Sequence, residues 1–423
     1  VVAAEAEHLD PADDLGHVHG QAHDVEHEGH RQHHRGHGVG DGAPRRCYGA
    51  DALGDLQPVL VRMTTFSVHR DVPLRDLTTL GVGGPIGVLA RAGDATGVTR
   101  ALDLAHDEGR DLLVLGGGSN VLASDRGVDA VVLQIDDDRL SADLSTGRVH
   151  VAAGYDWDEL VAWTVAHDLA GLECLSGIPG RCGAAPIQNI GAYGQEIGDV
   201  VETVHAVDRR DGQTVDLDAH DCRFAYRDSR FKRDWVDRYV IVGITLRLRP
   251  GGPPTVAYAE LERRLDEQDG PRSLATVRDT VLALRRGKSM VIDPEDENRR
   301  SAGSFFTNPI VDDATLDAVL EVARRRDPER ELPRWPIAPG RTKIPAAWLI
   351  ERSGFARGFA QGRAGLSTRH VLALVNRGGA TSQELLDLAR AVRDAVDETF
   401  GVRLRPEPVP LGFAPGEVDD LWW

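Results

Sequence analysis

At 423 residues the chain is too long for one typical compact domain and suits two or three that share a core. Its 41% hydrophobic and 27% charged residues exclude a fibrous or wholly disordered chain. The net charge of −18 argues against a phosphate-backbone binder, because nucleic-acid affinity rests on Lys and Arg neutralising phosphates. Any anionic ligand must therefore be held by a local basic cluster. Of the 49 cationic residues only Lys232, Lys288 and Lys343 are lysines, a ratio that reads as coding bias toward Arg. Cys47, Cys174, Cys182 and Cys222 show no paired short spacing, so they read as free thiols rather than a zinc or disulfide framework, and no metal is expected. No run reaches the roughly 18 apolar residues of a spanning helix, and no basic region leads into an apolar stretch. A cytoplasmic chain with neither nucleic acid nor membrane as partner is the expectation.

Residues 1–62 stand apart: nine of the sixteen histidines lie between His8 and His37, among Gly, Asp and Glu, without apolar periodicity. This composition predicts a disordered His-rich extension, with folded protein from Met63. Onward, the pattern alternates. It predicts a helix over Asp94 to Gly109, a short buried strand over Leu112 to Leu115, strands at Ala130 to Ile135 and Val149 to Ala153, and a helix from Trp157 to Leu169. Val200 to Val207 and Thr214 to Leu217 form a predicted hairpin through Asp211-Gly212, so the sheet is at least partly antiparallel. After a strand at Tyr239 to Leu248, helices dominate: Ser273 to Arg286, Ala314 to Arg326 and Ile344 to Ser353. The last helix has a capping box in Thr381 and Glu384 and a stop in Gly401. The whole is an α+β layout with a domain boundary near residue 290.

Six segments carry candidate chemistry. Gly116-Gly117-Gly118-Ser119-Asn120 follows an apolar strand, and consecutive glycines let backbone N–H groups approach a pyrophosphate closely; the same run also serves as a plain tight turn. Ile178 to Gly194 packs four glycines and two prolines into seventeen residues with almost no charge. Such a loop must close around something, and a flat, mostly apolar cofactor with Gln188 and Asn189 as amide partners fits as well as a buried structural loop. The others are Tyr226 to Lys232 around Arg227, Arg285-Arg286-Gly287-Lys288, Ser301 to Asn308 with Ser304 in a tight turn beside Gly303, and Pro406-Glu407-Pro408. Singly, each reads as a surface or helix-end feature.

In order and spacing these six segments, over residues 70 to about 413, resemble the UDP-N-acetylenolpyruvoylglucosamine reductase family. The resemblance implies non-covalent FAD in a fold similar to p-cresol methylhydroxylase, with two α+β subdomains plus a smaller α+β substrate-binding domain. It assigns to the cofactor Gly116, Gly117, Gly118, Ser119, Asn120, Ile178, Pro179, Gly180, Gly183, Gln188, Asn189, Gly191, Ala192, Tyr193 and Gly194. It implies hydride transfer from NADPH to FAD, then reduction of UDP-N-acetylglucosamine enolpyruvate to UDP-N-acetylmuramate. Both substrates would use one pocket in turn, in a monomer. The family's catalytic arginine, serine and glutamate carry over onto Arg227, Ser304 and Glu407, and its substrate contacts onto Arg285, Lys288 and Asn308. Tyr258 resembles a tyrosine that only one family subtype carries on a loop closing over the diphosphate, and the chain is assigned to that subtype.

Hydride addition to the enolpyruvyl β-carbon leaves charge on the α-carbon and carboxylate. Arg227 offers a planar fork to that carboxylate, and Ser304 is the proton source; a hydroxyl is a poor acid and serves only in a preorganised site. Glu407 needs a cationic neighbour or a proton, since a bare carboxylate repels the developing charge. The expected organisation is an FAD-binding region over 63–290, a substrate-binding domain over 291–400, a segment returning to the active site over 401–415, and a tail over 416–423. The competing reading is an FAD oxidase of the same cofactor fold acting on another substrate. Lys232 and Lys343 are expected to serve the fold. Deleting residues 1–62 is predicted to leave turnover intact; a truncated chain that folds but loses activity in a steady-state assay would contradict this.

Overall fold

A computed structural model describes residues 66–326, 328–329 and 331–422. The expected disorder of residues 1–62, together with Cys47, lies outside the described residues. The described residues all belong to one compact unit. Its first sheet runs in the order Phe66–His69, Ile86–Ala92, Val128–Ile135, Asp111–Val114. The last three strands are parallel and Phe66–His69 is antiparallel to its neighbour. Helix Ala95–Asp107 makes the crossover between parallel strands, starting where Asp94 caps the Gly97 amide at 2.8 Å. Its Val98, Ala101 and Ala105 pack between Val88 and Val131 of this sheet and Val207 and Val240 of the next.

The second sheet is antiparallel throughout, in the order Thr214–Asp218, Val201–Asp208, Tyr239–Arg247, Arg148–Ala152, Leu140–Asp143. The predicted hairpin is present, with Val204 opposite Leu217. Helix Trp157–Ala166 covers this sheet and stops three residues before the predicted end. Leu169–Ala170 pairs instead with Arg249–Pro250, a non-local partner that helical periodicity cannot reveal. Trp157 is fully buried and donates its indole N–H to the Leu175 carbonyl at 3.1 Å.

Beyond it, helices Ala259–Asp266 and Leu274–Gly287 bury Leu261, Leu265, Val277 and Val281 against Cys174. The remaining core gathers around helix Ser382–Phe400, which buries Leu385, Leu388, Val392 and Val396 against helices Asp313–Arg326 and Ala346–Arg352 and strands Ala364–Leu366 and Leu374–Asn376. The capping box and the left-handed Gly401 both sit where the sequence puts them. Helix Ala346–Arg352 begins two residues later than expected because Pro345 occupies its N-cap.

One strand pairing brings the ends of this unit together. Val409–Leu411 lies parallel to Val121–Ala123, the strand that follows the glycine turn. Cys174, Cys182 and Cys222 are buried free thiols, and among the described residues no helix is long and apolar enough to cross a membrane.

Candidate active site

One cavity opens where these parts meet. It is lined by Ser119 and Asn120 of the glycine turn, Ile178, Pro179, Gln188 and Gly191 of the long loop, Arg227, Arg285, Ser301 to Ser304, Asn308 and Glu407. Each of the six sequence segments therefore contributes at least one wall residue.

The glycine turn is shaped by close approach. Gly118 has φ +61°, and a Cβ there would fall 2.0 Å from the Leu77 carbonyl oxygen, while a Cβ on Gly117 would stand 3.2 Å from the Gly180 Cα. The two flavin-assigned segments are thus pressed backbone to backbone. Ser119 Oγ donates to the Pro179 carbonyl at 3.0 Å, and Asn120 Nδ2 donates to Gln188 Oε1 at 2.9 Å. From the other side, Asp158 Oδ1 accepts the Gly177 amide at 2.6 Å and is held in a bidentate pair by Arg278 at 2.6 and 2.9 Å. Burial pushes the Asp158 carboxyl up, but Arg278 and the Gly177 amide outweigh it and leave it below its ordinary range.

Glu407 is fixed from both neighbours. Its N–H donates to the Phe305 carbonyl at 2.8 Å, its carbonyl accepts from Asn120 Nδ2 at 3.3 Å, and Val409 N–H donates to the Asn120 carbonyl at 2.9 Å. Phe305 and Phe306 are each 1% exposed, and Gly303 turns at φ +71°, which leaves Ser304 half-buried on the cavity wall. Among the described residues no hydrogen-bond partner holds the Ser304 hydroxyl. Arg227 Nε lies 3.3 Å from Glu407 Oε1, and its Nη2 donates to the Gly191 carbonyl at 2.8 Å. Arg227 itself has φ +55°, a conformation costly for a long side chain. Lys232 Nζ donates to its carbonyl at 2.9 Å, bracing that turn. Burial pushes the Glu407 carboxyl above its ordinary 4.5, and Arg227 and Lys232 only partly offset the push. Desolvating a carboxylate costs several kcal/mol, more than one long ion pair returns, so the direction is upward.

The substrate-assigned residues divide. Arg285 Nη2 donates to the Gly177 and Met290 carbonyls at 3.2 and 2.7 Å, while its buried Nε has no partner among the described residues. Burial pulls this guanidinium below its ordinary range. Asn308 Oδ1 accepts the Ala346 amide at 3.0 Å at the start of helix Ala346–Arg352. Lys288 and Tyr258 are not on the wall. Lys288 Nζ bonds Glu260 Oε2 at 2.6 Å and lies 6.0 Å from the Tyr193 ring, which meets the Tyr258 ring edge-on at 5.5 Å. Asn189, expected beside Gln188 as an amide partner of the cofactor, is 1% exposed and already committed: Nδ2 donates to Glu196 Oε2 and the Ala225 carbonyl, and Oδ1 accepts the Gly198 amide. It shapes the loop. Gly180 lies behind the wall against the glycine turn, Gly183 packs on Ala153, Gly191 and Ala192 pair with Gln195 and Glu196, and Gly194 packs on Ala257. Thr79, Tyr226, Arg299 and Leu372 also line the cavity. Nothing local in the sequence marks Thr79, Arg299 or Leu372. Tyr226 adjoins Arg227, and Lys343 Nζ stands 4.6 Å over its ring.

These features fit FAD on structural grounds: a glycine turn that a Cβ would block, a loop with Arg181 as its one charged residue pressed against it, and a buried guanidinium nitrogen left unsatisfied. The fold and site define a flavin-dependent oxidoreductase. A family model described as an FAD binding domain matches residues 86–218, and one described as the UDP-N-acetylenolpyruvoylglucosamine reductase C-terminal domain matches residues 293–411. The UDP-N-acetylenolpyruvoylglucosamine reductase of Thermobifida fusca is 48% identical over 356 residues, 83% of this chain and 99% of the relative. That of Saccharopolyspora erythraea is 49% identical over 345 residues, 80% and 94%. A crystal structure of a UDP-N-acetylenolpyruvylglucosamine reductase from Thermus caldophilus matches with TM-score 0.57 and 26% identity, over 82% of this chain and 100% of that one. The chain belongs to the UDP-N-acetylenolpyruvoylglucosamine reductase family. Membership favours the reductase over the oxidase alternative.

Because Glu407 is held above its unfolded value, the folded state keeps its proton after the unfolded chain has lost it, so its stabilising contribution falls as pH rises from 4.5 through the raised value. Glu407→Gln is predicted to flatten that fall in melting temperature against pH; a variant whose slope matches the parent would remove the buried-acid account.

Proposed function

We propose that this protein reduces UDP-N-acetylglucosamine enolpyruvate to UDP-N-acetylmuramate with NADPH, in peptidoglycan precursor synthesis. The observation that carries this reading is the single cavity in which Arg227, Ser304 and Glu407 converge with the walls assigned to FAD. Gly116 to Asn120 would hold the diphosphate of the cofactor, with Ile178, Pro179 and Gln188 along its ring system. FAD, when bound, supplies the hydride chemistry that links NADPH oxidation to enolpyruvyl reduction.

The chain's own residues do the rest. Arg227, anchored through Gly191 and Glu407, presents its fork to the substrate carboxylate and stabilises the charge that gathers there. The Ser304 hydroxyl, unspent on protein partners, delivers a proton to the α-carbon. Glu407, with its raised affinity for a proton, stays neutral enough not to oppose the developing charge and polarises the site with Arg227. Arg285 and Asn308 meet the nucleotide portion, and Lys288 with Tyr258 reaches the diphosphate only if the Glu260 pair opens. Both substrates occupy this cavity in turn. The enzyme acts as a monomer in the cytoplasm, a compartment that the three buried free thiols suit. The proposed domains follow the same division: 63–290 for the cofactor, 291–400 for substrate binding, with 401–415 returning Glu407 to the site.

Ser304→Ala is predicted to leave flavin reduction by NADPH near the parent rate while slowing reoxidation by the enolpyruvyl substrate about 10²- to 10⁴-fold in anaerobic stopped-flow measurements. Equal losses in both half-reactions would contradict the assigned role.

A further inference from the structure

Glu407 sits between two prolines, and neither Pro406 nor Pro408 has an N–H to give. Of the backbone groups that remain around it, Glu407 N–H goes to Phe305, Glu407 carbonyl to Asn120 and Val409 N–H to Asn120. The Pro408 carbonyl goes elsewhere. It accepts from the indole Nε1 of Trp422 at 2.7 Å, in the short helix Asp419–Trp422. The same indole meets the Phe305 ring at a centroid distance of 6.2 Å and an interplanar angle of 72°, an edge-to-face geometry. Phe305 follows Ser304 directly. One side chain therefore touches both segments that deliver the proposed proton-handling groups, from behind the cavity wall, without itself lining it.

The helix carrying Trp422 is held firmly. Asp420 pairs with Arg390 at 2.9 Å and with Arg393 at 3.0 Å, both on helix Ser382–Phe400, and these partners bring its carboxyl down to about 2. Arg393 Nη1 also donates to the Asp420 carbonyl at 2.7 Å, and Arg390 Nη2 to the Glu417 carbonyl at 2.8 Å. Val418 and Leu421 are buried in the same core as Phe305 and Phe306. Such anchoring exceeds what a solvated tail needs, and it ends on the one indole that reaches Pro408.

We propose that Trp422 is a positioning residue for the reaction, setting the peptide after Glu407 and the ring after Ser304 through the bridge Asp420–Arg393–helix Ser382–Phe400. The claim rests on the roles given to Glu407 and Ser304 above. It extends the site to residues 416–422, expected from sequence to be a tail.

Trp422→Phe keeps an aromatic ring on Phe305 and removes the N–H. In the full chain with FAD, the expected result is a roughly three- to tenfold slower reoxidation by the enolpyruvyl substrate with flavin reduction by NADPH unchanged, the size expected for losing one buried hydrogen bond that fixes a reacting group. A second readout needs no turnover: hydrogen exchange at the Glu407 and Val409 amides should accelerate, while the amides of helix Ser382–Phe400 keep their protection. Unchanged rates and exchange, or equal slowing of both half-reactions, overturns the proposal. Asp420→Asn, which loosens the helix but keeps the indole, should show the same pattern more weakly, and decides the matter if Trp422→Phe does not fold. Ser304→Ala in parallel separates the two levels. If Ser304→Ala slows reoxidation and Trp422→Phe does not, the positioning role alone falls; if Ser304→Ala leaves reoxidation untouched, the reading of the site itself falls.

Discussion

The backbone pairing of Phe305 to Thr307 with Arg405 to Glu407, through Glu407 N–H to the Phe305 carbonyl and Thr307 N–H to the Arg405 carbonyl, joins two segments a hundred residues apart and assembles the candidate site. It places the residue after Ser304 opposite the proposed acid, and the parallel pairing of Val409–Leu411 with Val121–Ala123 then carries both to the glycine turn. Asn120 completes the arrangement by bonding Glu407 and Val409 with its own backbone and side chain and Gln188 with the same amide. Thr307 N–H, which donates to the Arg405 carbonyl at 3.0 Å, ties the same two segments a second time, so the proton-handling wall is held to the flavin walls at several points. Non-local pairing of this kind costs loop entropy and is stabilised by the apolar core behind it, here Phe305, Phe306, Leu122 and the helix Ser382–Phe400.

Electrostatics follow from that geometry. In a chain with net charge −18, guanidinium groups are concentrated at one cavity, where a polyanionic ligand would need them: Arg227, Arg285 and Arg299 all line it. Arg285 is buried, its Nη2 on the Gly177 and Met290 carbonyls, and its buried Nε has no partner among the described residues. The Arg278–Asp158 pair keeps the loop ahead of it in place without adding net charge. Glu407 is the counterweight, drawn toward its neutral form by burial and restrained by Arg227.

Much of this was legible wherever the cause is local. Asp94, Thr381 with Glu384 and Gly401 announce helix ends because caps are satisfied by residues a turn away. The hairpin through Asp211-Gly212 and the order of the six segments were legible for the same reason, and the segments' resemblance to a family supplied the roles that spacing alone left open. What depends on distant partners was not. Leu169–Ala170 leaves the helical pattern for a strand partner eighty residues on, and Thr79 is held at the cavity by distant partners, its N–H on the Gly118 carbonyl at 3.1 Å and its hydroxyl on the Ser301 carbonyl at 2.6 Å. Asn189 has the right chemistry for a cofactor amide, but Glu196, Ala225 and Gly198 take all of it. Lys288 stands in the expected motif, yet Glu260, unremarkable in sequence, decides where its charge points.

The central claim is that the two glycine-rich segments, Gly116 to Asn120 and Ile178 to Gly194, form a non-covalent FAD site. The visible absorbance spectrum of the purified full chain tests it most directly. The account predicts flavin bands at about one equivalent per chain, lost to the supernatant when the protein is denatured and precipitated. A colourless chain that takes up no flavin on reconstitution with FAD, or flavin that stays with the denatured polypeptide, would contradict it.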